Sequence, residues 1–140
     1  LVNTLSIPLS LFSIAIGPGA ESLRGDEEQL YRLFVNLAGN ALKYTPEGGT
    51  VTLAAEVSGD NVELSVRDQG PGISKADQAR LFEKFFRAGD AVTRKTPGTG
   101  LGLAICKGIV EAHSGSIRVE SEPGHGARFV ARLPKKGPAV

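Results

Sequence analysis

The 140-residue chain has no Trp, no Met and one cysteine, Cys106. A lone thiol excludes an internal disulfide framework and fits a reducing compartment. Neither sign of charge is in excess: 16 Lys and Arg stand against 15 Asp and Glu, a net charge of +1. No global field then draws the chain to nucleic acid or an anionic surface. Long apolar runs are missing too. The longest, around Ile7–Ile16, is broken by Pro8, Ser10 and Ser13, short of the roughly 18 residues a membrane span needs. No charged-then-apolar leader opens the chain, so a cytoplasmic location is expected. His113 and His125 have no Cys or His at metal-ligand spacing. There is no internal repeat and no hydrolytic triad. What remains is an ordinary composition, suited to one globular domain with its own core.

Apolar spacing divides the chain into elements. Phe12, Ile14 and Ile16 alternate as in a strand, and Gly17-Pro18-Gly19 ends it. Asp26 is a candidate N-cap with Glu27 and Glu28 behind it. Leu30, Leu33, Phe34, Leu37, Ala38 and Ala41 then recur at helical spacing up to Tyr44. Val51, Leu53, Ala55 and Val57 alternate, as do Val62, Leu64 and Val66, so a hairpin is expected around Ser58-Gly59-Asp60-Asn61. A short helix is expected over Lys75–Phe82, capped by Ser74, a loop over 88–100, and a second long helix over Leu101–His113. Ile117/Val119 and Phe129/Ala131/Leu133 predict a second hairpin. Hairpins interleaved with two or three helices predict an α+β two-layer sandwich, not a parallel βαβ sheet.

Three stretches carry chemistry. In NLAGNALKY (36–44), Asn36, Asn40 and Lys43 fall within about 60° of one another on a helix. They form a polar stripe at the edge of the buried face. A solvated face would show the same pattern, but Asn is a poor helix former. Side-chain amides and a lysine suit a hydrated cation or phosphate oxygens. In VRDQGPGI (66–73), Asp68 shares the parity of Val62, Leu64 and Val66, so its carboxylate is aimed at the core side. A buried carboxylate needs a donor; the amino group of a base is one, and an ordinary Asp-Gly turn is the alternative. In GTGLGLAI (98–105), glycines lead straight into a helix whose first N–H groups favour anions. Leu103 stands where a P-loop needs Lys and where a dinucleotide fingerprint needs Gly. Arg94 and Lys95, with Lys84 and Arg87 earlier, make the intervening loop basic. Cys106, in an apolar helix, reads as core.

In this order and spacing the pieces resemble the catalytic ATP-binding domain of two-component sensor histidine kinases, of the superfamily shared with type II topoisomerases and a heat-shock chaperone. Asn36-x3-Asn40-x2-Lys43-Tyr44 resembles the N box and Asp68-x-Gly70-x-Gly72 the first glycine box. LFEKFFR (81–87) resembles the F box. Gly98-x-Gly100-x-Gly102 resembles the second glycine box, and Gly124-x-Gly126 before Phe129 the last. The resemblance runs from Asp26 to Leu133. It implies a Bergerat-type fold: a mixed, mostly antiparallel sheet of about five strands, three helices on one face, and an ATP lid at 87–99. Residues 1–140 would be one domain, with 1–8 the remnant of a preceding helix or linker and 134–140 a frayed tail.

The resemblance also implies roles. Asp68 would accept from the adenine amino group, Asn40 would hold Mg²⁺, and Asn36 and Lys43 would act on the phosphates. Tyr44 would lie beside the nucleotide. Gly100, Leu101 and Gly102 would offer backbone to phosphate. Gly70, Gly72, Ile73, Phe85, Arg87, Gly98, Thr99 and Leu103 complete the nucleotide-contacting set, and Phe82, Phe85 and Phe86 would position the lid. Two departures stand out. Ala127 occupies a position where the family often has Thr, and no phosphoacceptor box resembling His-Glu-x-x-x-Pro is present. The γ-phosphoryl group would therefore go to a histidine on a dimerisation domain outside this chain, for relay to a response regulator receiver domain. No nucleic-acid partner is implied, and this piece would be monomeric. Two alternatives remain: a serine kinase of the anti-sigma type, which the F box and long lid oppose, and a nucleotide-binding module without transfer activity.

Overall fold

The computed structural model describes residues 11–88 and 100–138. Among these are five strands and three helices. In chain order they are β1 (Leu11–Ile16), α1 (Glu27–Tyr44), β2 (Thr50–Ser58), β3 (Asn61–Arg67), α2 (Lys75–Gln78), α3 (Gly102–Ala112), β4 (Ser116–Ser121) and β5 (Ala127–Pro134). The strands form one sheet in the order β1-β2-β3-β5-β4. Only β1–β2 is parallel; the other three pairs are antiparallel. The expected mixed α+β sandwich is what the chain forms.

Alternation decides the two faces. The register stacks Leu53, Val66, Phe129 and Val119 in one cross-strand row, and Ala55, Leu64, Ala131 and Ile117 in the next. These rows floor the core, which α1 closes with Leu33, Leu37 and Ala41 and α3 with Cys106, Ile109 and Val110. The opposite face is polar. There Glu63 pairs with Arg118 and Arg132, both at 3.6 Å, and Glu120 with Arg118 at 3.1 Å and Arg128 at 2.8 Å. The bond from Arg128 comes first among the causes that lower the Glu120 pKa. Pairs this exposed add little stability each.

The two long helices run antiparallel. The Asp26 N–H donates to His113 Nε2 at 3.0 Å, whereas farther along the Cys106 thiol donates to the Leu33 carbonyl at 3.9 Å. His113 Nδ1 also bonds the Ile109 carbonyl at 2.8 Å, so this buried imidazole is a structural link between helix ends. Asp26 caps α1 as expected, accepting from the Gln29 N–H at 2.9 Å.

Some expectations shift. The second helix stops at Gln78 rather than Phe82, because the next bonds tighten to three-residue spacing, Arg80 to Asp77 and Leu81 to Gln78. Leu101 and His113 cap α3 rather than belonging to it. The tail expected to fray from 134 is paired further: Pro134 ends β5, and the Lys135 N–H donates to the Asp60 carbonyl. Residues 139–140, 1–8 and most of the expected lid, 89–99, lie outside the described residues. No helix among the described residues is long and apolar enough to cross a membrane.

Candidate functional site

A cavity of about 500 Å³ opens between α1, the loop after β3, the segment after α2 and the start of α3. Its first wall is the polar stripe of α1. Asn36, Asn40, Lys43 and Tyr44 all line it. The amides of Asn36 and Asn40 have no hydrogen-bond partner among the described residues. Partial burial of the Lys43 ammonium and, second, the nearby Arg87 guanidinium lower its pKa.

The second wall is built around Asp68, which is 7% exposed. Its N–H donates to the Ala127 carbonyl at 2.8 Å, extending the β3–β5 ladder by one residue. Its Oδ1 accepts from the Gly70 N–H at 2.9 Å and the Ala127 N–H at 3.0 Å. Burial raises the Asp68 pKa, against the opposing effect of those two bonds and the Arg67 charge. Oδ2 accepts no hydrogen bond among the described residues. A buried oxygen with an open lone pair in a cavity wall is an acceptor waiting for a donor. The close packing here requires glycine at 126: with φ at +74°, a Cβ would stand 2.3 Å from the Asp68 carbonyl oxygen.

The third wall is the start of α3, where Gly100, Gly102 and Leu103 line the cavity. Among the described residues α3, unlike α1, has no side-chain cap and no acidic residue in its first turn. Its leading N–H groups keep their affinity for an anion. A Cβ at Gly102 would lie 3.7 Å from Asn36 Oδ1, which places the α1 amide beside that helix start.

The structure thus gathers Asn36, Asn40, Lys43, Tyr44, Asp68, Gly72, Ile73, Arg87, Gly100, Gly102 and Leu103 around one cavity. Gly70, Phe85 and Leu101 do not line it. Gly70 acts through its bond to Asp68. Phe85 has φ at 68° and is 71% exposed; its N–H holds the Gly100 carbonyl at 2.8 Å. Gly98 and Thr99, with the basic pair Arg94 and Lys95, lie outside the described residues. Pro71, Leu81, Ala88 and Phe129 also line the wall, without a motif in the sequence that marks them for it. Leu81 and Phe129 sit at core positions by periodicity, and nothing local separates a residue facing a cavity from one facing a neighbour. Phe86, expected under the lid, lines the cavity and stacks with Arg80 at 4.6 Å.

The family model for histidine kinase-, DNA gyrase B- and HSP90-like ATPases matches residues 25–137, most of the chain. The chain belongs to this ATPase family. Within it, the sensor-like histidine kinase SenX3 of Mycolicibacterium smegmatis is 45% identical over 118 residues, 84% of this chain and 31% of that protein. The structure of full-length ShkA in complex with AMPPNP superposes with a TM-score of 0.77 at 37% identity, over 94% of this chain and 27% of that one. The mycobacterial sensor histidine kinase MprB gives 0.76 at 32% identity, over 91% of this chain and 85% of that one. The chain is thus a catalytic ATP-binding domain of the histidine kinase type, and it spans less than a third of the SenX3 relative.

Proposed function

We propose that the cavity binds ATP with Mg²⁺ and presents the γ-phosphate to a histidine on a helical dimerisation domain of the parent protein, for relay to a receiver domain. The observation that carries this is the pairing of opposite ends in one cavity. At one end stands a buried carboxylate with an unused acceptor, suited to the adenine amino group. At the other stand the Asn36 and Asn40 amides, which have no partner among the described residues, Lys43 and the glycine-flanked start of α3, suited to phosphates. Among the described residues no cluster of three or more His, Cys, Asp or Glu could hold a metal. Mg²⁺ would therefore arrive with the phosphates, Asn40 supplying a protein oxygen and the ion neutralising charge.

In the transfer, a histidine ring nitrogen attacks the γ-phosphorus, the bond to the β–γ bridging oxygen breaks, and ADP leaves. This domain's part is to orient the γ-phosphate and offset its charge through Asn36, Lys43 and the α3 N–H groups. The test mixes this chain, labelled γ-ATP and the parent's helical domain. Acid-labile, base-stable label on that domain is expected. Acid-stable label refutes histidine transfer, and bound ATP without any label favours a nucleotide-binding module.

A further inference from the structure

The end of α1 and the loop after β3 are joined by bonds that neither the base end nor the phosphate end explains. Thr45, the C-cap of α1, is 5% exposed, and its N–H donates to the Ala41 carbonyl at 3.0 Å. Its hydroxyl oxygen accepts from the backbone N–H of Gln69, 24 positions on, at 3.0 Å. The Gln69 side chain in turn accepts, through Oε1, from the Thr50 N–H at 2.8 Å, where β2 begins. Gly70 lies against the same helix end: a Cβ there would stand 2.8 Å from the Tyr44 carbonyl oxygen. Residues 68–70 are therefore seated on the last turn of the helix that carries Asn36, Asn40 and Lys43. Thr45 and Gln69 are absent from the cavity wall.

We propose that Thr45 and Gln69 are positioning residues for the nucleotide. They set the spacing between the base-reading Asp68 and the phosphate-facing stripe of α1, so that a ligand reaching both ends binds as one unit. This rests on the ATP reading above. A ligand tethered at two points profits from the second contact only when the spacing is right. A ligand held at one end follows whichever wall it touches and is indifferent to that spacing.

Thr45→Val keeps the side-chain shape and removes the acceptor. The dissociation constant for ATP should rise roughly tenfold, while that for adenosine stays within about twofold. Thr45→Ser should restore ATP binding. Calorimetry for ATP, NMR titration for adenosine and a melting curve read these out. A purely structural role would weaken both ligands in parallel with a lowered melting temperature. Gln69→Met, at an exposed position, removes the Thr50 link, and Gln69→Glu retains an acceptor. Gln69→Met should shift the ATP-to-adenosine ratio in the same direction as T45V while Gln69→Glu stays near wild type, and that contrast decides the matter if T45V does not fold. Parallel loss of both ligands, or an unchanged ratio in every variant, overturns the positioning role. Wild-type protein that binds no ATP refutes the ATP reading and this proposal together, whereas unchanged ratios beside tight wild-type ATP binding refute positioning alone.

Discussion

Asp68→Asn separates binding from stability. The amide oxygen can occupy the Oδ1 position and keep the bonds from Gly70 and Ala127. The amide nitrogen then takes the Oδ2 position, where the wild-type acceptor is open. Toward an adenine amino group it presents a donor to a donor. The lost charge-assisted bond is worth about 1.5–3 kcal/mol, so ATP should bind roughly 10–150-fold more weakly. The fold should not suffer. Burial is the largest influence on this carboxyl and raises its pKa, so ionisation is disfavoured there and a neutral amide relieves it. The folded state holds the Asp68 proton more tightly than the unfolded chain does. Asp68 therefore makes stability fall as pH rises from the ordinary aspartate value to its raised one, and Asn should flatten that slope. ATP affinity in the wild type should weaken as pH falls through the raised value, and this acid limb should vanish in D68N. Calorimetric titration over a pH series, beside melting curves, reads all of this. A D68N protein that binds ATP as tightly as wild type, or that loses binding only because it melts several degrees lower, would refute the reasoning.

Three further outcomes follow from the geometry. ATP affinity should weaken again at alkaline pH as Lys43 loses its proton, earlier than an ordinary lysine would, because burial and Arg87 lower its pKa; Lys43→Met should abolish that limb, and an unshifted limb would remove Lys43 from the phosphate end. Gly126→Ala forces a Cβ against the Asp68 carbonyl at positive φ, costing about 2–5 kcal/mol in urea denaturation, and an unchanged midpoint would contradict the packing. Cys106 is fully buried, with its thiol pushed up to about 12, so a disulfide reagent at mildly alkaline pH should label it only at the rate of unfolding; immediate labelling of native protein would count against its place in the core.

What the sequence made legible was what depends on local period and spacing. Alternation in Val51–Val57 and Val62–Val66 announced a hairpin, and helical spacing from Leu30 to Ala41 announced α1 together with its polar stripe. Asp68 does face inward as its parity with Val66 requires, since the same register that buries Val66 carries it onto Ala127. Features made by distant partners left no local trace. The Thr45–Gln69 bond spans 24 positions and uses a backbone donor common to nearly every residue. Phe85 reads as one more apolar residue of LFEKFFR, yet its positive φ turns it outward. The family resemblance tied Phe85 and Leu101 to the nucleotide; what spacing could not show is that the Phe85 N–H bonds the Gly100 carbonyl and the Leu101 carbonyl accepts from Ile105.

The bareness of β1 has its own consequence. Phe12, Ile14 and Ile16 point to the helix-bearing side but remain 45%, 66% and 58% exposed, and the strand is tied to the sheet by a single parallel ladder to β2. Little apolar burial resists its detachment, so its amide hydrogens should exchange through small openings, whereas those of central β3 should wait for global unfolding. Every residue lining the cavity lies outside β1. The domain is therefore graded in cooperativity: its first strand can peel away while the pocket keeps its shape.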